Sequence, residues 1–350
     1  MDKIQRYTLA LIRSALFNAP LDGVEISDSQ WYKVFDYVGQ QGITAICYDA
    51  VMQLPASNRP PRELLLKWAL FVEGVEKHYQ SRRNTTITLA KELQTIDAKM
   101  LVLKGFTISR YYPTPNHRES GDLDIFCFDD FNKVNQLIKN HGIKIDDHNP
   151  RHFSFTLNGV FVENHSCFLY NRDDEEREME RFLIESARRY RSENPQQPVL
   201  LGDPLANALF FIKHAEKHFV YTMPGRLSLE LRSLCDWAMI LESGCCDYHK
   251  LKELVKGTSV EIFTDLLTYL VVRLLGVRGE WEEYLSPIPE KYLAQGETLI
   301  TAYKDANEDR HDFFGKVCRF AKYLKYRRFF RFVFDKNIFV QYYSFLQKHK

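Results

Sequence analysis

Residues 153–165 predict a β-hairpin in the middle of a chain whose other long patterns are helical. Two short strands, 153–157 and 160–165, flank Asn158-Gly159, the dipeptide favoured in two-residue type I′ turns. On the second strand Phe161, Glu163 and His165 share one face, because successive side chains of a strand alternate. The hairpin therefore places a carboxylate on a strand that could neighbour other strands of a sheet.

Two aspartates stand one residue apart in the run Arg118-Glu119-Ser120-Gly121-Asp122-Leu123-Asp124-Ile125-Phe126. The apolar residues around them predict a strand, on which Asp122 and Asp124 project from the same face. Neighbouring carboxylates repel each other unless a cation lies between them, and Mg²⁺ is the usual cation because it takes oxygen ligands. The pair, with Glu163 on a strand that could neighbour it, indicates metal-assisted phosphoryl chemistry.

A short series of elements between residues 98 and 200 predicts a small mixed α/β core. Residues 100–103 form an apolar run that indicates a buried strand, ending in the tight turn Lys104-Gly105. A short helix over 106–112, a strand over 123–128 and a helix over 131–140 then precede the hairpin. The order is strand, helix, strand, helix and hairpin.

Helical patterns fill the chain on both sides of this core. The N-terminal region, residues 1–97, includes a long amphipathic stretch from about Arg62 to Thr95 that predicts one or two helices. The C-terminal region, residues 201–350, follows a proline-containing boundary and is again helical. The predicted fold class is therefore α+β, a small mixed-sheet core flanked by N-terminal and C-terminal helical regions.

Composition says more about the cellular compartment of the protein than about its activity. The net charge of +1 over 350 residues gives no argument for or against a nucleic-acid partner. The seven cysteines form no CxxC pair, which favours reduced thiols over a disulfide framework or a zinc site. No signal peptide and no long uncharged apolar stretch is visible, so we predict a cytoplasmic protein without a membrane partner.

Several of these residues together resemble a known superfamily. The runs Leu101-Val-Leu-Lys104-Gly105, Tyr111-Tyr-Pro113 and Gly121-Asp122-Leu-Asp124-Ile, with Arg118, are similar to the nucleotidyltransferase superfamily typified by DNA polymerase beta. More narrowly, they resemble the bacterial "uncharacterised nucleotidyltransferase" family. The similarity extends to Glu163-Asn164-His165 and covers most of the chain. It also includes further family-like positions on a later helix pair: His214, His218, Arg232, Asp236 and Trp237.

The resemblance implies a nucleotidyltransferase core and assigns roles to its residues. An acceptor hydroxyl would attack the α-phosphorus of an NTP bound with Mg²⁺ or Mn²⁺, and pyrophosphate would leave. It implies that Asp122 and Asp124 hold two ions, and that Glu163 completes the acceptor side or accepts the proton. Nucleotide-binding roles go to another group of residues: Lys104, Gly105, Thr107, Arg118 and Gly121. Accessory site positions are His165, His214, His218, Arg232 and Asp236.

Phe106 departs from the superfamily pattern, in which a small residue follows the glycine of the turn. Thr107 would then be the residue that supplies a hydroxyl. A bulky Phe106 in the groove beside Lys104 would favour an alternative function, a catalytically degenerate nucleotide-binding or interaction module. The acceptor is left open by the sequence: a small molecule, a protein and RNA are all compatible with it.

The C-terminal region carries cations and aromatic residues in two series of period three. The cations are Lys316, Arg319, Lys322, Lys325, Arg328 and Arg331, and the rings are Phe320, Tyr323, Tyr326, Phe329 and Phe332. A period of three drifts around an α-helix, so we expect a helix packed by partners on changing sides. The alternative is a basic aromatic surface for RNA, which would make the protein an RNA-directed nucleotidyltransferase.

Overall fold

The computed structural model describes residues 1–21, 26–149, 151–169, 173–221, 229–304 and 313–335. Within these ranges six strands form one sheet: β1 Met100–Val102, β2 Leu123–Phe126, β3 Ile145–Asp146, β4 His152–Leu157, β5 Val160–His165 and β6 Val199–Leu200. The α-helices are α1 Lys3–Phe17, α2 Asp28–Gln40, α3 Thr44–Gln53, α4 Arg62–Gln94, α5 Gly105–Ser109, α6 Phe131–Asn140, α7 Asp174–Glu193, α8 Pro204–Tyr221, α9 Leu231–Glu242, α10 Tyr248–Val255, α11 Glu261–Leu270, α12 Glu290–Ile300 and α13 Phe313–Phe334. The predicted class, a mixed sheet between helical flanks, is confirmed.

The chain forms two compact units. A helical unit joins Met1–Ala69 with Ile212–Lys350, and a sheet unit consists of Leu70–Phe211. The sequence divides the chain differently, into three consecutive regions with boundaries near residues 97 and 200. In the structure the first and last regions share a unit, and the sheet unit includes most of α4. That each predicted region folds as a domain stays a prediction.

The sheet has the strand order β3-β4-β5-β2-β1-β6. The hairpin strands β4 and β5 are antiparallel, and β5 pairs with β2 in parallel. Asn158 and Gly159 adopt φ values of 52° and 77°, as a type I′ turn requires. Antiparallel pairing of β1 with β2 and parallel pairing of β1 with β6 complete the mixed sheet. The predicted proximity of the hairpin to the aspartate strand is therefore confirmed.

The two faces of the sheet have different chemistry. One face packs on α4 and α6 through a core that includes Val102, Ile125 and Val162. Because side chains alternate along a strand, Asp124, Glu163 and His165 project from the opposite face. The hydrophobic core thus fixes the strands, and the strands fix the position of the polar residues.

Several element ends differ from the sequence prediction. The aspartate strand ends at Phe126 rather than at residue 128, because Phe128 has a φ of 56° and begins a 3-10 turn. The helix after Gly105 ends at Ser109, before the predicted residue 112. By contrast, α4 is one helix over Arg62–Gln94, close to the predicted stretch.

Tryptophan side chains lie at the centre of the helical unit. The rings of Trp31 and Trp68 meet edge to face with centroids 6.3 Å apart. Trp68 donates its indole N–H to the carbonyl of Thr44, and Trp237 donates to the hydroxyl of Thr268. All tryptophans of the chain lie in this unit and are buried: Trp31, Trp68, Trp237 and Trp281.

Helix α13 packs its aromatic residues within the helical unit. Tyr326, Phe329 and Phe330 are buried, and Phe330 stacks on Phe219 of α8. Lys325, Arg328 and Arg331 are exposed, whereas the side chains of Lys316, Arg319 and Tyr323 lie outside the described residues. The buried rings agree with the packed-helix interpretation, because they present no face for stacking on bases. In the described part of the chain, no helix is both long and apolar enough to cross a bilayer.

Candidate active site

Three side chains converge on the polar face of the sheet, from the paired strands β2 and β5. The parallel register sets Asp124 opposite Glu163 and Phe126 opposite His165. His165 Nε2 lies 2.7 Å from Asp124 Oδ1 and 3.4 Å from Glu163 Oε2. One potential ligand atom from each of the three side chains lies within 4.8 Å of the others. We call Asp124, Glu163 and His165 the sheet cluster.

Lys104 brings a cation to the sheet cluster from the end of β1. Its Nζ lies 2.8 Å from Asp124 Oδ1, and the side chain of Asp124 is only 3% exposed. The backbone holds the two residues together, because Leu103 donates its N–H to the carbonyl of Asp124 over 2.9 Å. Lys104 therefore lies where the sequence predicts a phosphate-neutralising cation, but in this structure it pairs with a carboxylate.

Asp122 lies just outside the sheet cluster. It precedes β2, which begins at Leu123, and it is exposed. Although the residue as a whole is exposed, neighbouring protein atoms partly desolvate its carboxyl, and this together with the charge of Asp124 raises the pKa of Asp122. The group of mutually close ligand atoms thus contains His165 in place of the predicted Asp122. The metal role of Asp122 stays a prediction.

Hydrogen bonds determine the charges of the sheet cluster. Burial alone would raise the pKa of Asp124, but hydrogen bonds from His165 and Lys104 lower it to about 2. A hydrogen bond from His165 also lowers the pKa of Glu163. Burial opposes the charged form of His165, yet its bonds to Asp124 and Glu163 raise its pKa. Both carboxylates are therefore ionised at neutral pH, as a bound cation requires.

Two arginines lie beside the Lys104-Gly105 turn. A Cβ on Gly105 would lie 2.4 Å from Arg118 Nη1 and 2.6 Å from Ser120 Oγ, so only glycine fits without displacing these groups. Arg82 of α4 donates to the carbonyl of Ser120. Burial and the nearby charge of Arg118 lower the pKa of Arg82 to about 10, whereas Asp122 opposes this shift. The turn is thus bordered by concentrated positive charge.

Helix α4 holds the segment between Lys104 and Asp122 through one of its faces. Tyr79 stacks on Phe106 with centroids 5.5 Å apart, and Phe106 also packs against the core. Three residues before Tyr79, Glu76 accepts hydrogen bonds from His117 and Asn116 at 3.0 and 3.1 Å. The bulky Phe106 side chain is therefore directed to α4 and the core, and not to the side of the sheet that carries Asp124.

The contacts of Thr107 and Gly121, two predicted nucleotide-binding residues, do not point to that role. The Thr107 hydroxyl is buried and donates to the carbonyl of Lys104, so it serves the turn itself. Gly121 is exposed, and a Cβ there would meet no atom of the described residues within 4 Å. The nucleotide-binding roles of both residues stay predictions.

The predicted accessory residues of the later helices belong to the helical unit. His214 and His218 lie on α8 with ring centroids 4.3 Å apart. On α9, Asp236 is buried, and Arg232 donates to Glu230 over 3.0 Å. These contacts place the residues within the helical unit, and their functional roles stay predictions.

His152 is a site residue that sequence reasoning missed. It pairs with His165 across the hairpin, and its Nε2 lies 3.8 Å from Glu163 Oε1. The two-residue turn fixes this register, so counting back from Asn158-Gly159 would have found it. Arg82, Glu76 and Tyr79 carried no comparable signal, because their roles depend on where a helix packs.

The sheet cluster fits a divalent metal ion. Carboxylate oxygens suit Mg²⁺ and Mn²⁺, and an imidazole nitrogen suits ions of the first transition row. The two carboxylates come from strands that are hydrogen-bonded to each other, so their spacing is set by the backbone. Asp124 and Glu163 would hold such an ion, with His165 as a further ligand.

The sheet unit is thus a mixed α/β core with helices on one face, acidic residues on the other and a Lys-Gly turn beside them. The chain belongs to the family described as "uncharacterised nucleotidyltransferase", whose model matches residues 27–276. The match includes all the predicted site residues. Searches of curated proteins and of solved structures returned no match. The family predicted from the sequence is confirmed, whereas the predicted bacterial origin is not.

Proposed function

We propose that this protein transfers a nucleoside monophosphate from an NTP to an acceptor hydroxyl in a metal-dependent reaction. The observation that carries the proposal is the pairing of Asp124 with Glu163 on parallel strands, next to the Lys104-Gly105 turn. Membership of the nucleotidyltransferase family supports it. The same motif order supports placing the fold in the polymerase beta-like superfamily.

The chain supplies groups for each part of the reaction. Asp122, Asp124 and Glu163 would hold the metal ions, which stabilise the charge on the attacking and leaving oxygens when bound. Lys104 and Arg118 neutralise the triphosphate. The acceptor oxygen bonds to the α-phosphorus as the bond to the β-phosphate oxygen breaks, and pyrophosphate leaves. Glu163 stands on the acceptor side, as a ligand or as the acceptor of the hydroxyl proton.

The position of Phe106 favours an active enzyme over a degenerate binding module. A ring lying beside Lys104 on the polar face would have blocked a triphosphate. Instead the ring stacks on Tyr79 and packs on the core. The Phe106 ring therefore does not block a triphosphate beside Lys104.

Labelled nucleotides test the proposal directly. Purified protein is incubated with each α-³²P-labelled NTP, Mg²⁺ or Mn²⁺ and cell extract, and label on acceptors is separated from free nucleotide. We expect incorporation by the wild type with at least one NTP. The Asp122→Ala/Asp124→Ala double variant should lose roughly 10²–10³-fold or more of the rate, because it lacks the groups that hold the ions.

The matched control is Asp129→Asn, a charge change at an exposed aspartate that pairs with Arg188. It should retain the wild-type rate. Equal incorporation by the wild type and the double variant, with both folded by circular dichroism, would end the transferase proposal.

A further inference from the structure

The imidazole of His165 points its Nε2 between two carboxylates. This one atom lies 2.7 Å from Asp124 Oδ1 and 3.4 Å from Glu163 Oε2. Ligand atoms around an ion with bonds of about 2.1 Å lie roughly 3 Å apart. Both distances from Nε2 are close to this spacing, and all three ligand atoms lie within 4.8 Å of one another, so the nitrogen and the two carboxylates can share one ion after side-chain adjustment.

The strands hold His165 in this position. His165 is two residues beyond Glu163 on β5, so both project from the same face, and β5 is hydrogen-bonded on one side to β2 and on the other to β4. A ligand set carried by paired strands is better fixed than one carried by loops. The paired strands therefore hold the Nε2 atom of His165 in the sheet cluster.

His152 lies next to the sheet cluster on the neighbouring strand. Its ring lies 5.3 Å from that of His165, and its Nε2 lies 3.8 Å from Glu163 Oε1. Glu163 therefore has an imidazole beside each of its oxygens, Oε2 facing His165 and Oε1 facing His152. The His152 contact is at ion-pair distance and too long for a hydrogen bond, so it places a second imidazole near Glu163 without fixing the carboxylate.

Mg²⁺ and the ions of the first transition row differ in the ligands that they prefer. Mg²⁺ prefers oxygen ligands, keeps several waters and has little affinity for imidazole. Ions of the first transition row bind imidazole nitrogen, and Mn²⁺, the one with the weakest affinity for such sites, also takes the carboxylate ligands that suit Mg²⁺. A centre of oxygen ligands alone would not distinguish the ions in this way, because it lacks a nitrogen.

We propose that the sheet cluster binds a first-row transition ion, Mn²⁺ in preference to Mg²⁺, through His165 Nε2 together with Asp124 and Glu163. The inference rests on the proposed function for the use of the ion in catalysis. Binding of the ion and its coordination by nitrogen are separate claims, and both can be tested with the metal ion in the absence of nucleotide.

The direct test is pulsed electron paramagnetic resonance of the full chain with less than one equivalent of Mn²⁺ and no nucleotide. Coupling of the Mn²⁺ electron spin to an imidazole nitrogen is expected in the wild type. The coupling should change to the ¹⁵N pattern when the protein is grown with ¹⁵N-labelled histidine. A wild-type spectrum without histidine coupling overturns the inference, and this reading needs no variant.

Binding constants for Mn²⁺ and Mg²⁺ give the second readout. His165→Gln keeps a polar side chain but removes the imidazole, so the Mn²⁺ affinity should fall roughly 10–100-fold. The Mg²⁺ affinity should change much less, so the preference for Mn²⁺ shrinks. The matched control His148→Gln alters a histidine that is 93% exposed and pairs with Asp146, and it should leave both affinities unchanged.

The outcomes separate this inference from the proposed function. Histidine-coupled Mn²⁺ in a protein that transfers no nucleotide would overturn only the transferase. Nucleotide transfer by a protein whose Mn²⁺ shows no histidine coupling, with an unchanged metal preference in His165→Gln, would overturn only the nitrogen-ligated site.

Discussion

At the scale of single residues, Lys104 combines an unfavourable backbone with a functional side chain. Its φ of 52° and ψ of −126° lie in a region that side chains other than hydrogen disfavour. Such conformations cost about 1–3 kcal/mol and persist where the surrounding structure imposes them. Here the conformation delivers Nζ to within 2.8 Å of Asp124 Oδ1. The lysine is thus kept at a position where glycine would be more stable.

Two substitutions distinguish the effect of the backbone conformation of Lys104 from the effect of its charge. Lys104→Met and Lys104→Gly both remove the ammonium group, but only glycine relaxes the positive φ. We expect the glycine variant to be more stable than the methionine variant by about 1–2 kcal/mol in urea unfolding. Both should be poor in nucleotide transfer. Equal stability of the two variants would show that the backbone at Lys104 is not strained.

Asn164 is a second residue whose chemistry conflicts with its surroundings. It lies on β5 between Glu163 and His165 but faces the core, where it is buried. Neither atom of its amide has a hydrogen-bond partner among the described residues. Leucine has the same number of side-chain heavy atoms and no polar group.

We therefore expect Asn164→Leu to raise the free energy of unfolding by about 1–3 kcal/mol, because a buried unsatisfied amide is costly. Thermal or urea unfolding measures the change. Asn132→Leu, at an exposed position of α6, should have little effect. A loss of stability at Asn164 would mean that the amide has a partner, such as a buried water, that leucine displaces.

At the scale of elements, α4 positions the turn and the segment that leads to the aspartates. Glu76, Tyr79 and Arg82 recur every three residues and bind different parts of residues 104–122. Each of these residues is three positions from the next, so neighbouring members of the series lie side by side on the helix surface. The active-site segment thus depends on a helix that itself carries no residue of the sheet cluster.

Removing the Tyr79 ring should loosen this segment. Tyr79→Ala deletes an aromatic pair worth about 0.5–1.5 kcal/mol beyond its buried area, so amide exchange over residues 104–122 should quicken by roughly tenfold. Hydrogen exchange read by mass spectrometry measures this. His78→Ala changes the exposed neighbour and is the control. Unchanged exchange in Tyr79→Ala would show that the core alone holds Phe106.

The same elements show what sequence can predict. The Asn158-Gly159 turn determined the hairpin register, and from that register even His152 was within reach. The residues that form the sheet cluster were harder to predict from the sequence. The alternation argument for Asp122 and Asp124 requires both on one strand, but β2 begins at Leu123. The Arg82 contact depends on helix packing, for which a single sequence carries no short-range pattern.

At the scale of the whole molecule, the distribution of tryptophan gives a way to observe one unit alone. All the tryptophans lie in the helical unit, and the sheet unit, Leu70–Phe211, has none. Tryptophan fluorescence therefore reports the helical unit, whereas amide exchange in β2 and β5 reports the sheet unit. A chain with two compact units need not unfold in a single step.

Two valine truncations test whether the units unfold separately. Val162→Ala in the sheet core should destabilise the sheet unit by about 2 kcal/mol and leave the fluorescence midpoint in urea unchanged. Val38→Ala, equally buried on α2, should move that midpoint. If Val162→Ala shifts the fluorescence as well, the two units unfold as one cooperative body.

The parallel pairing of β2 with β5 also bears on how the protein folds. The hairpin of β4 and β5 closes over two residues, so its strands can meet early. The Asp124–Glu163 pair, in contrast, must close a chain segment that contains α6, β3, β4 and the hairpin turn. Non-local parallel pairing is slow because the entropy of loop closure is lost before the contacts form. We therefore expect the sheet cluster to assemble late, and the appearance of metal affinity during refolding would time the closure of the sheet.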